Sequence, residues 1–177
     1  MARTIEVTLY KFDELGAAMQ QRVIEGWRAG DQFFWEDEWR DSLHAFAKLA
    51  PIKVRDWSVG YGGTYVTFDM DDNIADLSGD EAHAWLIQEG WDALANPDKR
   101  QSCPFTGYCG DENLLDAIRT AIGNPASISS LRDVFADALQ GWAKGFEADL
   151  DYWHSEEAIR EDIEANGYEF NANGTLA

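Results

Sequence analysis

Apolar positions follow two rhythms along this chain: alternation near its start and around 52–70, and a recurrence every three or four residues elsewhere. Residues 4–12 alternate and are rich in β-formers, which predicts a strand. Asp13 can N-cap a helix from 14 to about 28, closed by Gly30, with Leu15, Met19, Val23 and Trp27 as its buried stripe. Asp31 opens a second helix to about 49, with the stripe Trp35, Trp39, Leu43 and Phe46, and Pro51 stops it.

Two β-branched and aromatic runs then flank Gly60-Tyr61-Gly62-Gly63, which predicts a β-hairpin near 52–70. A helix follows from 80 to about 96, with Trp85, Leu86 and Leu94 inward and Pro97 as its end. Residues 98–110 read as a loop. Asp111 caps a short helix through 122, closed by Gly123-Asn124-Pro125. The longest helix starts at Ser129 or Ser130 and runs to about 153. Its stripe is Phe135, Leu139, Trp142, Phe146, Leu150 and Trp153. Ser155 caps a last helix from 156 to 165, with Ile159 and Ile163 inward and Asn166-Gly167 as its C-cap. Residues 168–170 form a final short strand before a turn at Asn173-Gly174. Strands and helices do not alternate as βαβ units. The pattern therefore predicts one α+β domain over 1–177, in which a small antiparallel sheet (the hairpin plus the N-terminal strand) packs against several α-helices.

Composition adds charge to this picture. The chain has 177 residues, 45% of them hydrophobic and eight of them Trp, so a substantial core is available. Its net charge is −19, which disfavours direct binding to nucleic acid or an anionic membrane and favours basic partners or divalent cations. The excess is localised. Residues 69–98 hold nine acids and no base, or −9, and residues 145–177 hold nine acids against Arg160, or −8. No apolar run is long enough to span a membrane, the N-terminus has no apolar signal region, and Cys103 and Cys109 fit free thiols in a reducing cytoplasm.

The two acidic segments are the candidate partner-binding residues: Asp69, Asp71, Asp72, Asp76, Asp80 and Glu81, with Glu157, Glu161 and Glu164. The last three fall at i, i+4 and i+7, which aligns carboxylates about 5–6 Å apart on one helix face. Duplex DNA carries a charge about every 3.4 Å along each strand, so a rigid row of carboxylates can imitate a phosphate track. The competing reading is an ordinary solvated acidic surface. Asp69-x-Asp71-x-Asn73 with Asp80 partly fits a calcium loop, yet Ile74 stands where the turn needs Gly and position 12 is not Glu. Cys103 and Cys109 lack zinc-knuckle spacing, His44, His83 and His154 are scattered, and no catalytic motif is present. No cofactor, metal or catalytic residue is expected.

Three stretches carry a resemblance: Tyr10-Lys11-Phe12-Asp13-Glu14-Leu15, Cys103-Pro104-Phe105-Thr106-Gly107-Tyr108-Cys109, and Glu164-Ala165-Asn166-Gly167-Tyr168-Glu169-Phe170. Together they resemble a group of small acidic proteins of phages and prophages, some labelled antitoxin-like. The resemblance implies a phage setting, where small acidic proteins often bind and block a host nucleic-acid-handling defence complex. The expected function is a non-enzymatic inhibitor in the host cytoplasm, acting by phosphate mimicry on a basic, nucleic-acid-binding host protein; a homodimer is open. Two alternatives stand beside it: an antitoxin-like partner of a toxin, and a metal-dependent enzyme built on the 69–81 acids.

Overall fold

A computed structural model of the chain describes residues 7–30, 33–60, 62–96, 98 and 105–177. The fold is α+β, with eight α-helices and one two-stranded antiparallel sheet among the described residues. The chain divides into two compact units, Phe34–Asp149 on one side and Met1–Phe33 with Leu150–Ala177 on the other.

The smaller unit is built on helix α1 (Ala17–Gly30) and helix α8 (Glu156–Asn166). Phe12, Leu15, Val23, Ile24, Ile159, Ile163 and Phe170 form its core, with Met19 and Trp27 packed at the margin. The helix expected from residue 14 begins later. Phe12–Glu14 is a 3-10 turn, and Leu15 returns to extended backbone before Gly16. A 3-10 turn eclipses residues three apart, so Phe12 and Leu15 both reach the core. Gln20 Nε2 donates to the Phe12 and Leu15 carbonyls at 3.1 and 3.0 Å, which satisfies the broken segment. Ser155 caps α8 by accepting from the Ala158 N–H, and Gly167 ends it at φ +64°. Within residues 7–9 there is no strand, and Tyr10 makes a single antiparallel bridge to Phe170. Residues 4–6 of the expected strand lie outside the described residues.

The larger unit holds helix α2 (Glu36–Leu49), strands β1 (Ile52–Ser58) and β2 (Tyr65–Met70), and helices α3 (Asp72–Ala75), α4 (Gly79–Gln88), α5 (Trp91–Ala95) and α6 (Cys109–Gly123). It also contains all of helix α7 (Leu131–Trp153) up to Asp149. The hairpin pairs Ile52 with Met70 and Ser58 with Tyr65, with a bulge between Val54 and Asp56. Thr64, in the connection, donates to Glu147 of α7 at 2.6 Å and ties the hairpin tip to that helix. The Trp57 ring meets Trp142 edge-on at 5.4 Å.

Two of the expected helical stripes end differently in the structure. The helix expected over 80–96 breaks at Gly90, whose φ of +80° is costly for any residue with a Cβ. The break lets Trp91 pack against Phe46 and Phe135 at 5.7 and 5.5 Å. Trp35, expected in the buried stripe of α2, is its N-cap residue and is exposed. In contrast, Phe135, Leu139, Trp142 and Phe146 of the α7 stripe are all buried.

At the centre, Trp142 Nε1 donates to the Trp39 carbonyl at 2.8 Å, and Trp39 stacks on Phe146 with centroids 5.5 Å apart. Gly145 of α7 faces this cluster. A Cβ there would lie 2.9 Å from Trp39 Cη2 and collide with Asn113 Nδ2. Gly26 of α1 is also helical but has open space around it. Gly26→Ala should therefore stabilise by up to about 1 kcal/mol. Gly145→Ala should destabilise by about 1–3 kcal/mol despite the same propensity gain. Urea midpoints of the two variants check the opposite signs.

Candidate partner-binding surface

All nine carboxylates singled out from the sequence are exposed. Asp69, Asp71, Asp72, Asp76, Asp80 and Glu81 belong to the larger unit, and Glu157, Glu161 and Glu164 to the smaller. They do not share one environment.

Asp69, next to last in β2, is ion-paired with Arg55 across the hairpin. The hydrogen bond from Arg55 holds its carboxyl below the usual range. Asp71 is a helix cap: its Oδ1 accepts from the Asn73 N–H at 2.9 Å and from Asn73 Nδ2 at 2.7 Å. Asp72 lies 3.5 Å from Arg132 of α7. The run that has no cation in sequence therefore receives two from elsewhere in the fold. Asp80 and Glu81 sit in the first turn of α4, where the unpaired N–H groups favour negative charge. Asp76, Asp80 and Glu81 form no ion pair among the described residues.

This geometry accounts for the calcium-like spacing. Asp71 is engaged as a cap of a helix that the sequence reading left out, and Asp69 is engaged by a guanidinium. No group of three or more His, Cys, Asp or Glu could hold a metal ion among the described residues. Cys109 opens α6 and is exposed, while Cys103 lies outside the described residues.

The α8 acids differ. Ala158, Ile159 and Ile163 bury one side of that helix, and Glu157, Glu161 and Glu164 stand on the exposed side. Glu157 lies in the first turn, where the helix dipole favours it. Glu164 is in the last turn, where the carbonyl ends disfavour an anion and no basic residue is present. The one cation of the helix, Arg160, pairs with Glu156 at 2.8 Å and lies 4.8 Å over the Phe12 ring. Glu161 accepts a 3.2 Å hydrogen bond from Tyr152, which raises the Tyr152 pKa. Glu157 and Glu164 form no ion pair among the described residues.

A second polar cluster, which the sequence reading missed, is structural. Asp111 is fully buried in the first turn of α6 and accepts from the N–H groups of Thr106 and Gly107 at 2.9 and 2.7 Å. It fixes the preceding loop instead of capping its own helix. Beside it, Asp149 Oδ2 accepts from Trp39 Nε1 at 2.9 Å and from the Tyr108 hydroxyl at 3.0 Å. The loop residues Thr106, Gly107 and Tyr108 carry no apolar period, so only their hydrogen bonds reveal the role.

Burial, and next the hydrogen bond to Asp149, push the Tyr108 pKa far above its usual 10.0. The unfolded chain then loses this proton at lower pH than the folded one does. Stability from Tyr108 is complete below the unfolded value and declines as pH rises past it. Melting temperatures should fall between about pH 9 and about pH 11, and Tyr108→Phe should flatten that fall while costing about 1 kcal/mol at neutral pH. Thermal unfolding followed by circular dichroism at each pH measures both effects.

Among the described residues no helix is long and apolar enough to cross a membrane. No family model and no curated protein matches the sequence, and no solved structure matches the fold.

Proposed function

We propose that this is a non-enzymatic binding protein whose exposed carboxylates engage a basic, nucleic-acid-handling partner by standing in for phosphates. The observation that carries the reading is the outward row on α8. Glu157, Glu161 and Glu164 line one solvent face, and Glu164 opposes the helix dipole without a compensating cation in that turn. A last-turn carboxylate such as Glu164, which weakens its own helix and makes no ion pair among the described residues, is better explained by an external cation than by folding. On the larger unit Asp76, Asp80 and Glu81 are also exposed and without an ion pair among the described residues, and of these Asp80 and Glu81 suit the start of α4 as well.

In the phage setting that the resemblance implies, the partner is a host defence or nucleic-acid-binding protein. Its Lys and Arg groove, shaped for phosphates, would accept carboxylates at helical spacing. Such binding is long-range and electrostatic, so it forms quickly at low salt and weakens as the Debye length shrinks.

The test sets stability against binding. Glu161→Gln with Glu164→Gln should leave the melting temperature unchanged or raise it by up to about 2 °C, because like-charge and dipole repulsion are removed. The same variant should lose capture of a basic protein from bacterial extract at about 50 mM salt, and the wild-type interaction should fade by about 500 mM. Duplex DNA should compete for the captured protein. Capture that ignores the Gln substitutions, the salt and the DNA would overturn the reading.

A further inference from the structure

The acid-rich surface has a basic counterpart. Residues 42–55 contain Lys48, Lys53, Arg55 and His44 and no acid, which gives +3 from Lys and Arg in a chain of net charge −19. These side chains belong to α2 and β1, and between the two elements lies an open groove of about 510 Å³. Leu43, His44 and Lys48 line it from α2, and Lys53, Arg55 and Trp57 from β1.

The strand wall has an informative pattern. Every residue from 52 to 57 touches the groove. Side chains on a strand alternate between faces, so a groove over one face would meet every second residue. Contact with consecutive residues means that the edge of β1 forms the wall. That edge is free: β1 pairs with β2 alone in a two-stranded sheet, and its residues make no other backbone hydrogen bond to a partner strand among the described residues. A helix on one side, an unpaired strand edge on the other and an apolar floor between them suit an extended peptide added as a third strand.

The charges select the peptide. Lys48 and Lys53 are exposed and form no ion pair among the described residues, and Arg55 shares its guanidinium with Asp69. Asp56 is the one acid in the groove, and it is engaged by the Tyr65 hydroxyl at 3.0 Å and the Trp57 N–H at 2.9 Å. Lys48 also suits the last turn of α2, and a Lys on an edge strand discourages pairing with other chains. An acidic strand is the one that such lysines attract instead of repel. We infer that the groove between α2 and the free edge of β1 binds an extended acidic peptide segment of a partner by strand addition. Lys48 and Lys53 contact its carboxylates, and pairing begins along 52–54, below the bulge. The groove is lined by neither Glu161 nor Glu164, so either reading can fail alone.

The probe is a fluorescein-labelled peptide of about eight residues alternating Val and Glu, titrated into the full-length chain and followed by anisotropy and by amide shifts in a ¹⁵N spectrum. Binding should be at least about tenfold tighter than for a Val–Lys peptide, or for the same Val–Glu peptide with alternate backbone amides methylated. The shifts should centre on 52–57 and the facing side of α2. Lys48→Glu with Lys53→Glu should weaken binding by at least about tenfold, and the paired Gln variant, which removes the charge but keeps hydrated side chains and guards against misfolding, should lie between. Absence of binding, equal binding of the methylated peptide, or shifts centred elsewhere would overturn the proposal. Inorganic phosphate producing the same shifts would reassign the groove to small anions. A dimer in sedimentation that buries these amides would reassign it to a second copy of the chain.

Discussion

The larger unit depends on how closely Trp39 can be approached. Its carbonyl receives Trp142 Nε1, its own Nε1 donates to Asp149, its face stacks on Phe146 and its edge meets Tyr108. One ring therefore joins α2, α7 and the loop before α6. The approach is possible because glycines stand in place of side chains in the first turn of α6 and on α7. A Cβ at Gly110 would come within 2.9 Å of the indole, and one at Gly145 would come equally close. An interior packed to crystal-like density has no room to give at such points. The polar ends of Trp39 and Trp142 are satisfied inside the same cluster, so burying two indoles leaves no orphaned N–H.

That arrangement explains which parts of the fold could be read from the chain. The first four positions of the α7 stripe and the Ser155 and Gly167 caps of α8 are local signals and appear where periodicity or capping chemistry put them, while Leu150 and Trp153 of the same stripe are only half-buried. The hairpin was legible for the same reason. What could not be read depends on partners far along the chain. Gly90 looks like a tolerated glycine within a helical pattern until Phe46 and Phe135 are seen to receive Trp91. The Asp111 carboxylate resembles a cap of its own helix until the Thr106 and Gly107 amides are seen to point at it. The bulge at Arg55 has no sequence signature, yet it sets the register of the sheet.

The acidic candidates were legible as residues but not as a chemical class. Charge counting treats every carboxylate alike, whereas position on a helix divides them. Asp71, Asp72, Asp80, Glu81 and Glu157 all cap or begin helices, so folding alone gives them a reason to be acidic. Asp69 and Asp72 also meet arginines that sequence proximity could not supply, because Arg55 lies on the other strand and Arg132 on α7.

Once these are set aside, the candidate acids that neither an ion pair nor a helix start favours are fewer and better defined. Asp76 follows α3, and Glu161 and Glu164 occupy the second half of α8. An acid in the last turn of a helix raises the energy of the folded state, so its presence calls for a compensating interaction outside the helix. Basic side chains show the complementary distribution. Arg40, Arg119 and Arg160 are held by acids on their own helices, whereas Lys48 and Lys53 stand without an ion pair beside a free strand edge. Each unit thus carries exposed charge without an ion pair among the described residues, acidic on α8 in the smaller and basic along β1 in the larger. Exposed charge of both signs suits two contacts of opposite sign, each made with a different partner chemistry.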